Sequence, residues 1–124
     1  MILVVDDHED TAQFLCRLLG RRGYPTHCAA DGYEALAFLA AETPRLIILD
    51  VQMPGMTGLE LLERMGEEDR LRGIPVIVYS AAHEKNQSDL AMKLGAKAYL
   101  IKGAVGVPEI LKLVAQHALP VNAE

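Results

Sequence analysis

Short apolar runs recur along the chain at Ile2–Val5, Tyr24–Cys28, Leu46–Leu49, Val76–Tyr79 and Ala98–Ile101. They are rich in Val and Ile, and three of them are apolar without alternation, the pattern of strands buried on both faces. Between them, apolar residues recur at helical spacing. Phe14, Leu15, Leu18 and Leu19 form one stripe, with Gly20 and Gly23 as places to stop. Asp31 and Glu34 have the spacing of a capping box ahead of Ala35, Leu36, Leu39 and Ala40, and Thr57 and Glu60 repeat the device before Leu62 and Met65. Leu90, Ala91 and Leu94 lead to Gly95, a helix-ending residue. Pro108 opens a last helix through Ile110, Leu111 and Val114, which stops before Pro120.

Strand and helix thus alternate five times. Such alternation calls for an α/β fold, a doubly wound parallel sheet with helices on both faces. Right-handed crossovers favour the strand order 2-1-3-4-5. One domain is expected over residues 1–120, with 121–124 as a tail.

Composition narrows the function classes. The chain has 124 residues, 51% of them hydrophobic and 23% charged, enough for one packed core. No apolar run approaches the roughly 20 residues of a membrane span, and the start lacks the basic region of a secretory signal. A net charge of -5 argues against sequence-independent binding to nucleic acid. Cys16 and Cys28 have no Cys or His partner at ligand spacing, so buried, reduced thiols in a cytoplasmic protein are expected. The four histidines, His8, His27, His83 and His117, show no ligand spacing either, and His8 is expected to be exposed rather than metal-binding.

The polar residues that end the apolar runs carry the chemistry. Asp6 and Asp7 follow the first run, Asp50 the third, Ser80 the fourth and Lys102 the fifth. Each alone reads as a turn, a cap or a solvated charge. In a parallel sheet all strand C-termini share one edge, and strands one and three are neighbours where the winding reverses, the place where such sheets bind ligands. Three carboxylates gathered there repel one another, and one lysine does not neutralise them. A hard divalent cation does, and Mg²⁺ suits an open site of one or two carboxylates plus a phosphate. Asp50 is then a candidate nucleophile forming an acyl phosphate, with the cation, Lys102 and the Ser80 hydroxyl answering the charge of the equatorial oxygens.

The segments Ile2-Leu-Val-Val-Asp-Asp7, Leu46-Ile-Ile-Leu-Asp-Val-Gln-Met-Pro-Gly-Met-Thr-Gly58, Val76-Ile-Val-Tyr-Ser80 and Gly95-Ala-Lys-Ala-Tyr-Leu-Ile-Lys102 resemble the receiver domain of bacterial two-component response regulators, of the chemotaxis-regulator type. The resemblance covers nearly the whole chain. It implies a flavodoxin-like fold, Mg²⁺ (or Mn²⁺) dependence, and phosphotransfer to Asp50 from a histidine kinase or histidine phosphotransfer protein. It further implies that Asp7, Asp50 and the main-chain carbonyl of Gln52 coordinate the metal, that Asp6 holds a metal-bound water, and that Ser80 and Lys102 contact phosphoryl oxygens. Tyr99 matches the family's switch aromatic. Ser80 and Tyr99 would together reshape the face made by helix four, strand five and helix five, which an effector domain or a second copy reads.

Two departures stand out. Gly103 follows Lys102 where the family usually has proline, so this peptide is either trans, with Lys102 aimed differently, or cis at a cost. Ala82 offers no polar group to an attacking water, which leaves Gln52 to govern loss of the phosphoryl group. Two other function classes remain in view: a phosphate-independent binding module, and a phosphohydrolase with an aspartyl nucleophile. The second would need a general acid where Gln52 stands. The family itself is a regulatory phospho-acceptor rather than an enzyme acting on a separate substrate.

Overall fold

A computed structural model describes residues 1–118. The elements run β1 (Ile2–Val5), α1 (Glu9–Gly20), β2 (Thr26–Ala29), α2 (Gly32–Leu39), β3 (Leu46–Leu49), α3 (Gly58–Gly66), α4 (Asp69–Arg72), β4 (Val76–Ser80), α5 (Lys85–Lys93), β5 (Ala98–Ile101) and α6 (Val107–His117). The strands form one parallel sheet in the order β2-β1-β3-β4-β5, as expected of a flavodoxin-like fold. The proposed tail, and the stop at Pro120, lie outside the described residues.

The period of two within each strand sorts the core into two layers. Leu3, Val5, Ile47, Leu49, Val76 and Val78 face one way and pack with Ala35 and Leu39 of α2, Leu61 and Met65 of α3, and Ala91 of α5. Ile2, Val4, Leu46, Ile48 and Ile77 face the other way and pack with Leu15 and Leu19 of α1 and Ile110 and Val114 of α6. The continuous apolar runs are therefore read correctly as strands covered on both sides.

Three local readings need correction. The second strand is Thr26–Ala29 rather than Tyr24–Cys28. Pro25 has no N–H to give a ladder and contributes only its carbonyl, which accepts from Ile2 N at 2.8 Å. The short helix α4 gave no periodic signal, because Leu71 is its one buried residue. Arg70 fixes it to the end of α2 by donating to Thr43 Oγ1 at 2.8 Å and to the Leu39 carbonyl. The cysteines are not buried free thiols: Cys16 on α1 and Cys28 on β2 are disulfide-bonded, and Cys28 is exposed. Their pairing comes from α1 packing beside β2, a tertiary contact that spacing does not reveal.

Of the two expected capping boxes, that of α3 is complete: Glu60 N donates to Thr57 Oγ1 and Thr57 N to Glu60 Oε1, both at 3.2 Å. At α2 only half forms as expected. Asp31 Oδ1 accepts from Glu34 N at 2.8 Å, but the Glu34 carboxylate accepts from Ala30 N, one residue before the cap.

Candidate functional site: an acidic crevice at the strand ends

The residues that end the strands are held by the ladder itself. Asp6 N donates to Ala29 O at 3.0 Å, Asp50 N to Val5 O at 2.9 Å, and Lys102 N to Ser80 O at 2.9 Å. Each therefore continues the sheet by one residue, and its backbone is as fixed as the strand before it. The sheet order then gathers Asp6, Asp7, Asp50 and Lys102 in one crevice. Asp6 is 4% exposed and Asp50 2%, while Asp7 reaches solvent.

The loop after Asp50 closes tightly over it. Gln52 N donates to Asp50 Oδ1 at 3.2 Å, and Gly58 N to Val51 O at 2.9 Å. A Cβ on Gly58 would sit 2.3 Å from the Asp50 carbonyl oxygen, so only glycine lets α3 begin this close to the acidic residue. Beside the crevice, Asp7, Gln52, Met53, Thr57 and Gln87 border an open cleft of 390 Å³.

Lys102 crosses the crevice. Its Nζ lies 2.9 Å from Asp6 Oδ2 and 3.4 Å from Asp50 Oδ2, and 5.9 Å from the Tyr79 ring centroid. All described peptide bonds are trans, including the one before Gly103. The turn is made instead by Gly103 at φ +85°, closed by Ala104 N donating to Ile101 O at 3.0 Å. A type II turn requires a positive φ at its third residue, and glycine supplies it without strain. So the trans alternative holds, and Lys102 still reaches both carboxylates.

Burial pushes the Lys102 ammonium down, but the hydrogen bond it donates to Asp6 and the charge of Asp50 outweigh it and hold the group above its ordinary value. Asp6 is raised in turn: burial is the largest cause and Asp50 adds to it, against the opposing hydrogen bonds from Lys102 and from His8 N.

Two other expected residues stand apart from these contacts. Ser80 is fully buried, and its Oγ accepts from Ala82 N at 3.2 Å. Tyr99 is half-buried against the α2–α3–α5 layer, and its hydroxyl donates to Ala82 O at 2.7 Å. Both therefore bind the same residue of the loop that follows β4. Burial raises the Tyr99 phenol above its ordinary value.

One participant was missed. His8 is exposed as expected, at 64%, yet its Nδ1 turns back to lie 3.3 Å from both Asp6 Oδ1 and Asp7 Oδ1 and 3.7 Å from Asp50 Oδ2. The only signal in the sequence was its place directly after the acidic pair. Exposure and a place in the cluster are compatible: this one side chain has both an open face and a nitrogen among the carboxylates.

The donor set fits a divalent cation. Ligand atoms of Asp6, Asp7, His8 and Asp50 lie within 4.8 Å of one another, and a single ammonium offsets three carboxylates, two of them buried. Oxygen donors at an open, water-accessible edge are what Mg²⁺ takes.

A family model described as the response regulator receiver domain matches residues 2–115. The polar-differentiation response regulator DivK of Brucella anthropi is 30% identical over 94% of this chain and 94% of its own length. The chemotaxis protein CheY4 of Vibrio cholerae superposes with a TM-score of 0.83 at 30% identity, covering 95% of this chain and 97% of that one. The signal receiver domain of a histidine kinase from Syntrophus aciditrophicus gives a TM-score of 0.88 at 30% identity, over 99% and 92%.

Proposed function

The chain belongs to the response regulator receiver domain family, and we propose that it is a phosphorylation-dependent signalling switch whose acceptor is Asp50. The observation that carries this reading is a carboxylate 2% exposed, beside a lysine ammonium, at the junction of two further carboxylates. A merely structural aspartate at a strand end has no need of two further carboxylates beside it, whose mutual repulsion one ammonium only partly offsets.

In the proposed step an Asp50 carboxylate oxygen attacks the phosphorus of a phosphohistidine on a histidine kinase or phosphotransfer protein. The new O–P bond forms as the P–N bond breaks, and the leaving imidazole keeps the electron pair and takes a proton from solvent. Magnesium, when bound, supplies positive charge for the phosphoryl oxygens. Asp7, Asp50 and the Gln52 main-chain carbonyl would hold it, and Asp6 would orient one of its waters. Lys102 already spans Asp6 and Asp50, and exchanges its contact with Asp50 for one with a phosphoryl oxygen. Ser80 turns its hydroxyl from the Ala82 N–H toward the same group. Because Tyr99 holds the carbonyl of Ala82, that turn is felt at β5. The output then runs through the face of α5, β5 and α6, the fourth helix, fifth strand and fifth helix of the βα repeats. There α5 leaves Leu90 and Met92 exposed for an effector domain or a second copy. Gln52, exposed at the mouth of the cleft, governs how long the phosphoryl group survives, since Ala82 has no polar side chain to offer. We take residues 1–120 as the switch unit. It works in the cytoplasm, where such donors reside. Among the described residues no helix is long and apolar enough to cross a membrane.

The test is incubation with acetyl phosphate and Mg²⁺. Acid-labile phosphate on the wild type and none on Asp50→Asn supports the switch. No incorporation on either sides with a phosphate-independent binding module. Release of phosphate from added esters with turnover would instead indicate a phosphohydrolase.

A further inference from the structure

His8 occupies the N-cap of α1, with φ −85° and ψ 107°, but its side chain makes no capping hydrogen bond to the helix. An N-cap is commonly Ser, Thr, Asp or Asn, whose oxygen satisfies a first-turn N–H. Here that role is given up and the ring is turned onto the carboxylates. The backbone helps to hold it there: His8 N donates to Asp6 Oδ1 at 2.9 Å, which fixes the His8 Cα at the rim of the crevice. Nδ1 then lies 3.3 Å from an oxygen of Asp6 and from one of Asp7, and 3.7 Å from Asp50. Those are the carboxylates that the proposed function assigns to the cation, so the inference rests on that reading. In the tautomer that carries its proton on Nε2, the Nδ1 lone pair faces the same space.

We propose that His8 supplies a nitrogen ligand from Nδ1 to the cation held by Asp7 and Asp50, and so tunes this receiver toward borderline transition cations such as Co²⁺ relative to Mg²⁺. Magnesium takes oxygen ligands and gains little from an imidazole. Affinity for an N/O donor set rises from Mn²⁺ toward Co²⁺ and beyond, and imidazole suits the later, borderline ions of that series. A receiver site with oxygen donors alone has this bias in weaker form.

The experiment uses the full chain at one neutral pH, as wild type, His8→Ala and Asp7→Asn, titrated calorimetrically with Mg²⁺, Mn²⁺ and Co²⁺. Electron spin echo modulation of the Mn²⁺-loaded proteins reports directly bound nitrogen. Because His8 is largely exposed, His8→Ala is expected to melt as the wild type does. The expected result is a ¹⁴N coupling in the wild type that His8→Ala abolishes. The Co²⁺-to-Mg²⁺ affinity ratio should fall with it, by at least about tenfold, the lower end of what losing a metal-orienting partner costs. Asp7→Asn should weaken all three ions. If His8→Ala leaves both the ratio and the spectrum unchanged while Asp7→Asn still weakens every ion, the His8 ligand is overturned and the carboxylate site stands. If no ion binds the wild type, both are overturned.

Discussion

Strands β3 and β5 each deliver one charged group to the crevice, and they are built differently. All four residues of β3 are buried, and its neighbours β1 and β4 pair with it on both sides. Every residue of β5 is only partly buried, and it is the last strand of the sheet. Asp50 thus stands on a fixed floor, held by Val5 O and by Gln52 N. Lys102 and Tyr99 stand on an edge strand, joined to the β4 loop through Ser80 O and Ala82 O. A switch needs both: an acceptor that does not move, and a neighbour with few contacts to lose when it does.

The contrast is first tested by packing. Leu49→Ala removes a fully buried side chain from β3 and should cost about 2–5 kcal/mol in denaturant unfolding. Leu100→Ala on β5 should cost clearly less, because Leu100 already reaches solvent. Equal losses would mean that the two strands are equally anchored.

Next in size is Gly103→Ala. The substitution forces a side chain onto φ +85° although nothing crowds it, so about 1 kcal/mol of strain is expected, with Lys102 displaced from Asp6. A crystal structure of the variant with the Lys102–Asp6 contact intact would contradict the role given to this turn. Tyr99→Phe deletes the hydrogen bond to Ala82 and should cost about 0.5–1.5 kcal/mol, while loosening amide exchange at Ala82 and in β5 more than in β3.

Alkali gives the smallest effect, and its sign is fixed. Lys102 and Tyr99 are both raised above their ordinary values of 10.5 and 10.0, so the folded state holds these protons more tightly than the unfolded chain does. The stability they contribute is complete below those ordinary values and fades as pH rises through the folded ones. Melting temperature should therefore fall faster above about pH 10 in the wild type than in Tyr99→Phe. Asp6 acts at the other end. Raised above 3.8, it favours the folded state as pH drops through its folded value toward 3.8, in cation-free buffer.

The same division shows what the sequence makes legible. The runs of β1, β3 and β5, and the convergence of Asp6, Asp7, Asp50 and Lys102, follow from periodicity and from the rule that parallel strand ends share an edge. The apolar pattern places the start of β2 at Tyr24, but Pro25 cannot join the ladder and the strand begins at Thr26. Helix α4 offers a single apolar anchor. The Cys16–Cys28 bond and the inward turn of His8 depend on how α1 packs and how one ring rotates about its bonds, and neither leaves a mark in residue spacing. The aim of Lys102 could be posed from Gly103 but not decided, since glycine permits the positive φ without demanding it.

The most direct test is to find where the phosphoryl group goes. Protein treated with acetyl phosphate and Mg²⁺ is reduced with borohydride, which converts an aspartyl phosphate to homoserine, and the peptides are sequenced by mass spectrometry. The account predicts homoserine at position 50 alone. Homoserine at another aspartate, or none in protein shown to be folded and cation-loaded, would contradict it.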